Sequence, residues 1–249
     1  MGDRAGADGP EVRHRVLSAD GVEGELLAQF LAHPLFAAMP RLDRAAFLEV
    51  LLQRRFLSLL FPVVYDVGID GLGDEAARRL VREILREEYP DATGATPSHR
   101  EDLVADLLVL GASRGQILAA RPTAATTAVV EQTLGLALGA AAAPGDAAVL
   151  TVLRFWGEVL VSVEYGEFWR PMAAVFEDAG AASRFYHPHH HHDGREPLAA
   201  ASDSSATHSG RLGACLARLL AQDADAGAQF ARVERAVLAT RMRFYDQFV

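Results

Sequence analysis

The stretch Phe185-Tyr186-His187-Pro188-His189-His190-His191-His192-Asp193-Gly194-Arg195-Glu196 crowds imidazoles and carboxylates more densely than a solvated surface requires. Nitrogen and oxygen donors of this kind hold divalent transition metals. On a helix, positions i, i+4 and i+7 share a face, so His189, Asp193 and Glu196 project together. Histidine runs also arise as surface tracts of low complexity, so a metal reading needs further donors elsewhere in the chain. One is Glu88. At about 100° per residue, Leu80, Val81, Ile84 and Leu85 define an apolar face with Glu88 near its centre and Glu87 about a quarter turn away. A carboxylate among leucines and isoleucines needs a cation or an arginine, unless it sits on a frayed last turn at the surface. By the same reckoning Glu164 lies closest to the middle of the face formed by Leu160, Val163, Phe168, Met172 and Val175. Glu158 lies near the opposite side, where a solvated or arginine-paired role fits, and Glu167 is off the centre. His99, just after Pro97-Ser98, either caps a helix or adds an imidazole donor.

The elements that must position these residues read as helices throughout. Apolar residues recur every three or four positions between Gly, Pro and polar clusters, and alternating strand-like runs are scarce. A helix is expected around Glu25 to Ala38. Asp43 caps a second with Phe47, Val50, Leu51, Leu57 and Leu60, and Asp74 caps a third that ends near Tyr89-Pro90. Ser98-His99-Arg100-Glu101 has the form of a capping box, which puts His99 in the first turn of a fourth helix. A fifth covers Thr123 to Ala141. After Pro144-Gly145-Asp146 comes a long helix, apolar nearly all round, as the central element of a bundle should be. A short helical piece then carries the histidines, a small-residue loop runs from Ala199 to Ser205, and two helices close the chain. His33 before Pro34 reads as a cap. Residues 1–20 are expected to form a flexible N-terminal tail and residues 21–249 a single bundle domain.

Composition narrows the function. With 24 basic and 33 acidic side chains among 249 residues, the net charge of −9 argues against nucleic acid as a partner. All the basic residues are Arg; without Lys there is no Schiff-base chemistry, P-loop grip or protein-kinase site. The single cysteine, Cys215, forms no internal disulfide, and its apolar setting suits a buried thiol in a reducing cytoplasm. No signal peptide and no membrane span are evident, so a soluble cytoplasmic protein without a membrane partner is expected.

The order of Glu88 near a helix end, His99 opening the next helix, Glu164 on a long apolar helix, and Phe185-Tyr-x-x-His189-x-x-x-Asp193-x-x-Glu196 resembles the heme-oxygenase-like diiron oxidases and oxygenases. The resemblance spans roughly Leu26 to Phe248, including the Phe244-Tyr245-Asp246 ending. It implies an all-α, single-domain heme-oxygenase-like bundle of about seven to nine helices, two Fe(II) per chain and O2 as co-substrate. The implied metal ligands are Glu88, His99, Glu164, His189, Asp193 and Glu196, the last standing where the family usually has His. Two ferrous ions bring +4 and the four carboxylates −4, so the set balances, and four carboxylates with two histidines is also the complement of ferritin-like diiron sites. The implied activity is oxidation of a small amino-acid, amine or fatty-acid-like substrate by N-oxygenation, C–C cleavage or desaturation, in specialised metabolism. An external electron donor and a homodimer are compatible with it, and Tyr65, Tyr165 and Arg170 are candidates to orient substrate. The alternatives are a metal-binding or interaction bundle without redox activity, and a cofactor-free relative of the fold, such as a thiaminase-like hydrolase or quinone-cofactor oxidase.

Overall fold

Short polar side chains start most of the helices by accepting hydrogen bonds from otherwise unpaired first-turn amides. In the computed structural model, which describes residues 10–249, Asp43 accepts from Ala46 and opens α3, Asp74 accepts from Ala77 and opens α4, and Thr123 accepts from Thr126 and opens α7. Ser98 and Glu101 form the reciprocal capping box at the start of α5. The order is α1 (Pro10–Leu31), α2 (Pro34–Ala38), a 3-10 turn (Met39–Arg41), α3 (Arg44–Gly71), α4 (Glu75–Glu87), α5 (His99–Val109), α6 (Arg114–Ala119) and α7 (Ala124–Ala141). Then follow α8 (Ala147–Val152), a π-helical segment (Leu153–Val159), α9 (Leu160–Asp178), α10 (Tyr186–His192), α11 (His208–Gln222) and α12 (Ala224–Asp246). The described residues contain no strand, and no helix among them is long and apolar enough to cross a membrane.

Two expectations about boundaries differ. Helix α1 begins at Pro10, so residues 10–20 of the expected tail are helical; residues 1–9 lie outside the described residues. The first expected helix is also split, because Pro34 has no amide to continue the ladder. His33 caps the second piece, its Nδ1 accepting from Leu35 N at 3.2 Å while Nε2 meets Asp246 Oδ1 at 3.1 Å. The short α6, opened by Ser113, adds a segment that the apolar periodicity did not reveal.

The long run α8–π–α9 passes through the middle of the molecule, every residue from Ala147 to Ser162 being buried. Helix α12 packs on α1, α7 and α8, α3 on α7, α10 on α9, and α11 on α4 and the π segment. Phe30, Phe36, Phe168, Phe244 and Tyr245 fill the core at one end. The π segment is closed by the Leu160 amide bonding back to Phe155 O, five residues earlier. A π turn takes in an extra residue, so the faces before and after it are offset by about 100° relative to a straight α-helix.

Candidate metal centre

That offset decides which glutamate meets the histidines. Glu158 lies inside the π segment and faces His208 and Asp193, whereas Glu164, beyond it in α9, faces α3 and α12. The expectation for Glu164 therefore fails on register: straight-helix geometry does not carry across the wide turn. Glu164 is instead clamped by Arg54 Nε at 2.5 Å, Arg241 Nη1 at 2.6 Å and the Tyr245 hydroxyl at 2.6 Å. Burial alone would raise this carboxyl, but Arg241 and Arg54 hold it below the usual carboxylate range.

Two trios of donor atoms form, each within 4.8 Å of one another. The first is Glu88, His99 and His189, half-buried; the second is Glu158, Asp193 and His208, all buried. All six line a single cavity with Leu57, Phe61, Ile84, Trp156, Val161 and Phe185. Glu88 caps the C-terminus of α4 and reaches His99 Nδ1 at 2.9 Å across the loop to α5. His189 directs Nδ1 at Phe185 O, 2.7 Å away; a carbonyl only accepts, so Nδ1 carries the proton and Nε2 the lone pair that a metal requires. The His99 and His189 rings lie 4.6 Å apart between centroids.

Helix α10, which presents His189, is pinned by Asp106 of α5. Its carboxylate accepts the backbone amides of Arg184, Phe185 and Tyr186 at 2.8–3.1 Å and the Ser183 hydroxyl at 2.6 Å. Gly166 lets α10 approach α9, since a Cβ there would meet the His190 ring at 2.7 Å.

In the second trio, His208 Nδ1 sits 3.5 Å from Glu158 Oε2 and 3.6 Å from Asp193 Oδ1, and its Nε2 lies 3.4 Å from Glu87 Oε2. Buried Tyr65 donates its hydroxyl to Glu158 Oε1. Burial and the Glu158 charge keep that phenol protonated. Gly157 makes the contact possible: a Cβ at this position would stand 2.9 Å from the Tyr65 oxygen.

The electrostatics are those of a site short of positive charge. Burial, then the neighbouring Glu158 carboxylate, pushes Asp193 well above its ordinary value. For His208, burial favours the neutral ring, but the hydrogen bonds to Glu158 and Glu87 outweigh it and raise the imidazole to about 10. In the first trio the Glu88 bond likewise overcomes burial and raises His99.

Of the six residues expected from sequence, Glu88, His99, His189 and Asp193 line this cavity, and Glu164 and Glu196 do not. Glu196 fails because α10 ends at His192: Asp193 is its C-cap, and the i+7 spacing has no helix to act along. The Glu196 carboxylate bonds Ser205 at 2.9 Å and Thr207 at 3.3 Å. Glu158, ranked behind Glu164 by the straight-helix reckoning, lines the cavity instead, and His208 is the residue that sequence reasoning did not single out. For His208, Thr207 was an available signal, since it caps α11 and places the imidazole on the first turn, as Ser98 does for His99. The cavity accordingly gathers three carboxylates and three imidazoles rather than four and two. Of the candidates to orient substrate, Tyr165 lines the cavity, whereas Arg170 is mainly exposed and pairs with Glu167.

No family model matches the sequence, and no curated relative matches it. Solved structures do. A CADD-like protein of unknown function from Nostoc punctiforme superposes with a TM-score of 0.65 at 16% identity, covering 96% of this chain and 97% of the other. A TenA homologue from P. horikoshii gives 0.56 at 14% identity, covering 94% and 97%. Likeness at this level of identity establishes the fold: this chain has the heme-oxygenase-like helical architecture that those two proteins share.

Proposed function

We propose that the chain is a non-heme diiron enzyme that activates O2 to oxidise a small organic substrate. The observation that carries this reading is the convergence of three carboxylates and three imidazoles, as two trios, on one largely apolar cavity. The donor chemistry fits two divalent irons: mixed oxygen and nitrogen ligands, burial, and a negative charge that otherwise has to be met by protons on Asp193 and His208. Glu88, His99 and His189 would hold one ion and Glu158, Asp193 and His208 the other. Bound ferrous iron supplies electrons for the reductive activation of O2.

The chain's own residues supply the rest. Phe185 O fixes the His189 tautomer, and Tyr65 holds the Glu158 carboxylate in place. Asp193 and His208 would give up protons on holding a metal ion. Leu57, Phe61, Ile84 and Val161 keep the cavity wall apolar and limit water. Three carboxylates leave two ferrous ions with one positive charge in excess, which suits an anionic group on the substrate. Amino-acid, amine or fatty-acid-like substrates, and an external electron donor, follow from the family resemblance. The thiaminase-like alternative lacks its nucleophile, since Cys215 is buried in α11 and is absent from the residues lining the cavity. Burial raises its thiol despite Arg218 Nη2 at 3.2 Å.

The test is anaerobic loading with Fe(II), metal analysis, and stopped-flow mixing with O2. Two irons per chain and a transient, O2-dependent visible absorption are expected. Full loading with no O2-dependent species, across amine and fatty-acid panels, overturns the oxidase reading. Failure to retain iron after removal of loosely bound ions overturns the metal assignment itself.

A further inference from the structure

The cavity uses His189 and leaves the rest of the histidine run to other work. His190 is turned to α9, its Nδ1 3.1 Å from Ser162 O while the Ser162 hydroxyl donates to His190 O. His187 and His191 are different. They stand one turn apart on α10, two residues either side of His189, and two residues rotate a helix by about 200°, so they occupy the side away from the cavity. Their Nε2 atoms face each other at 3.2 Å, with ring centroids 4.6 Å apart.

Two imidazoles bound to one divalent ion at about 2.0–2.1 Å, subtending about 90–110°, hold their nitrogens about 2.8–3.4 Å apart. The observed separation falls within that window. The pair is also held in place. Trp169 of α9 packs on the His187 ring at 4.6 Å, the His187 amide donates to Ser183 Oγ at 3.0 Å, and Asp106 pins the start of the helix. Such a frame lowers the entropy lost on chelation. Among the described residues no carboxylate joins the two imidazole nitrogens in a group of three donors, and such a pair favours imidazole-preferring ions over Fe(II).

We propose that His187 and His191 form a second, solvent-facing metal site that takes one divalent cation of the Cu2+, Ni2+ or Zn2+ class, with water completing the coordination. One short helix then presents two chemically different metal faces, a carboxylate-rich one inward and an imidazole-only one outward. The proposal does not depend on the iron reading.

Trp169 provides the readout, because a paramagnetic ion on His187 quenches the indole packed against it. Titrating the full chain with Cu2+ or Ni2+, in a Glu158→Gln background that weakens the inner site, is expected to quench tryptophan emission with one ion per chain. Zn2+ added in excess restores it. His187→Ala and His191→Ala should each weaken the half-saturation point by at least about tenfold, because the second donor acts intramolecularly. His190→Ala should not move it. Trp169→Phe should remove most of the quenching while equilibrium dialysis still finds the ion. Circular dichroism of each variant, with His187→Gln and His191→Gln as milder replacements, separates ligand loss from unfolding. The proposal is overturned if His190→Ala weakens binding as much as His187→Ala, which marks an unstructured polyhistidine tract. It is also overturned if the folded His187 and His191 variants titrate like the parent.

Discussion

Glu158 and Glu164 are six residues apart on the same central helix, and both are almost wholly buried. Their surroundings have opposite character. Glu164 has two arginines and a tyrosine hydroxyl around it; Glu158 has another carboxylate, an imidazole and a tyrosine hydroxyl, with the arginines engaged elsewhere. Burial therefore does not distinguish a structural carboxylate from a candidate metal ligand. The identity of the counter-charge does. Two buried guanidiniums, which keep their charge at any working pH, mark Glu164 as structural; the partner of Glu158 is an imidazole that can give up its proton, and it is there that the proposed function places an added cation.

The sharpest way to test this contrast is to neutralise each glutamate in the metal-free protein. Glu164→Gln leaves Arg54 and Arg241 buried without their anion and should cost about 3–5 kcal/mol in urea denaturation. Glu158→Gln removes a charge that repels Asp193 and keeps an acceptor for Tyr65, but it also takes away a carboxylate partner of His208; the two effects oppose each other, so metal-free stability should change less than in Glu164→Gln. The iron content should respond in reverse, falling for Glu158→Gln. If the two variants destabilise the metal-free protein equally, the distinction collapses.

The same two regions should titrate in opposite directions. The lowered pKa of Glu164 contributes stability that is present above the ordinary carboxylate range and is lost as pH falls through the lowered value. The raised pKa of Asp193 contributes stability that is present below that range and is lost as pH rises through the raised value. His208, raised to about 10, acts with Asp193: its contribution is complete below the ordinary imidazole value near 6.5 and is gone above about 10. Metal-free protein should thus lose stability on the alkaline side, and bound metal should abolish that loss. Loading with Zn2+ or Fe(II) near neutral pH should release protons, which a weakly buffered indicator assay counts. Binding without proton release would mean that these groups are not where the metal goes.

How much of this was legible in the sequence depends on the regularity of the backbone. Glu88 lines the cavity, on the face its helix periodicity gives it, because α4 is an unbroken α-helix through its last turn and 100° per residue holds along it. His99 was placed by the Ser98-Glu101 capping box, a local signal. The Glu164 and Glu196 assignments both extended ideal helix geometry across an irregularity, a π turn in one case and a helix end at Asp193 in the other. Nothing in Leu153-Arg154-Phe155-Trp156-Gly157-Glu158-Val159 marks a π segment by composition. Its Gly157 acquires a reason only once Tyr65 is seen against it.

That glycine gives a smaller test. Gly157→Ala puts a methyl group where the Tyr65 oxygen now reaches Glu158, and should cost about 1–3 kcal/mol through overpacking. It should also lower metal affinity by freeing the Glu158 carboxylate to rotate. Tyr65→Phe in the Gly157→Ala background separates the two effects. If the stability loss comes from steric conflict with the hydroxyl, removing that oxygen recovers part of it, while the metal affinity stays low.

The smallest effect is expected where the sequence-based assignment was displaced. Glu196→Ala removes a carboxylate held by Ser205 and Thr207 in the loop before α11, and should cost about 1 kcal/mol while leaving the iron content unchanged. His208→Ala, twelve residues further on, should lose the iron that the proposed function assigns to the inner trio. Because His208 closes that trio from the first turn of α11 whereas Glu196 only ties the preceding loop, the pair separates donating a ligand from shaping the segment that delivers one. Iron loss in Glu196→Ala equal to that in His208→Ala would return Glu196 to the metal and make His208 its support.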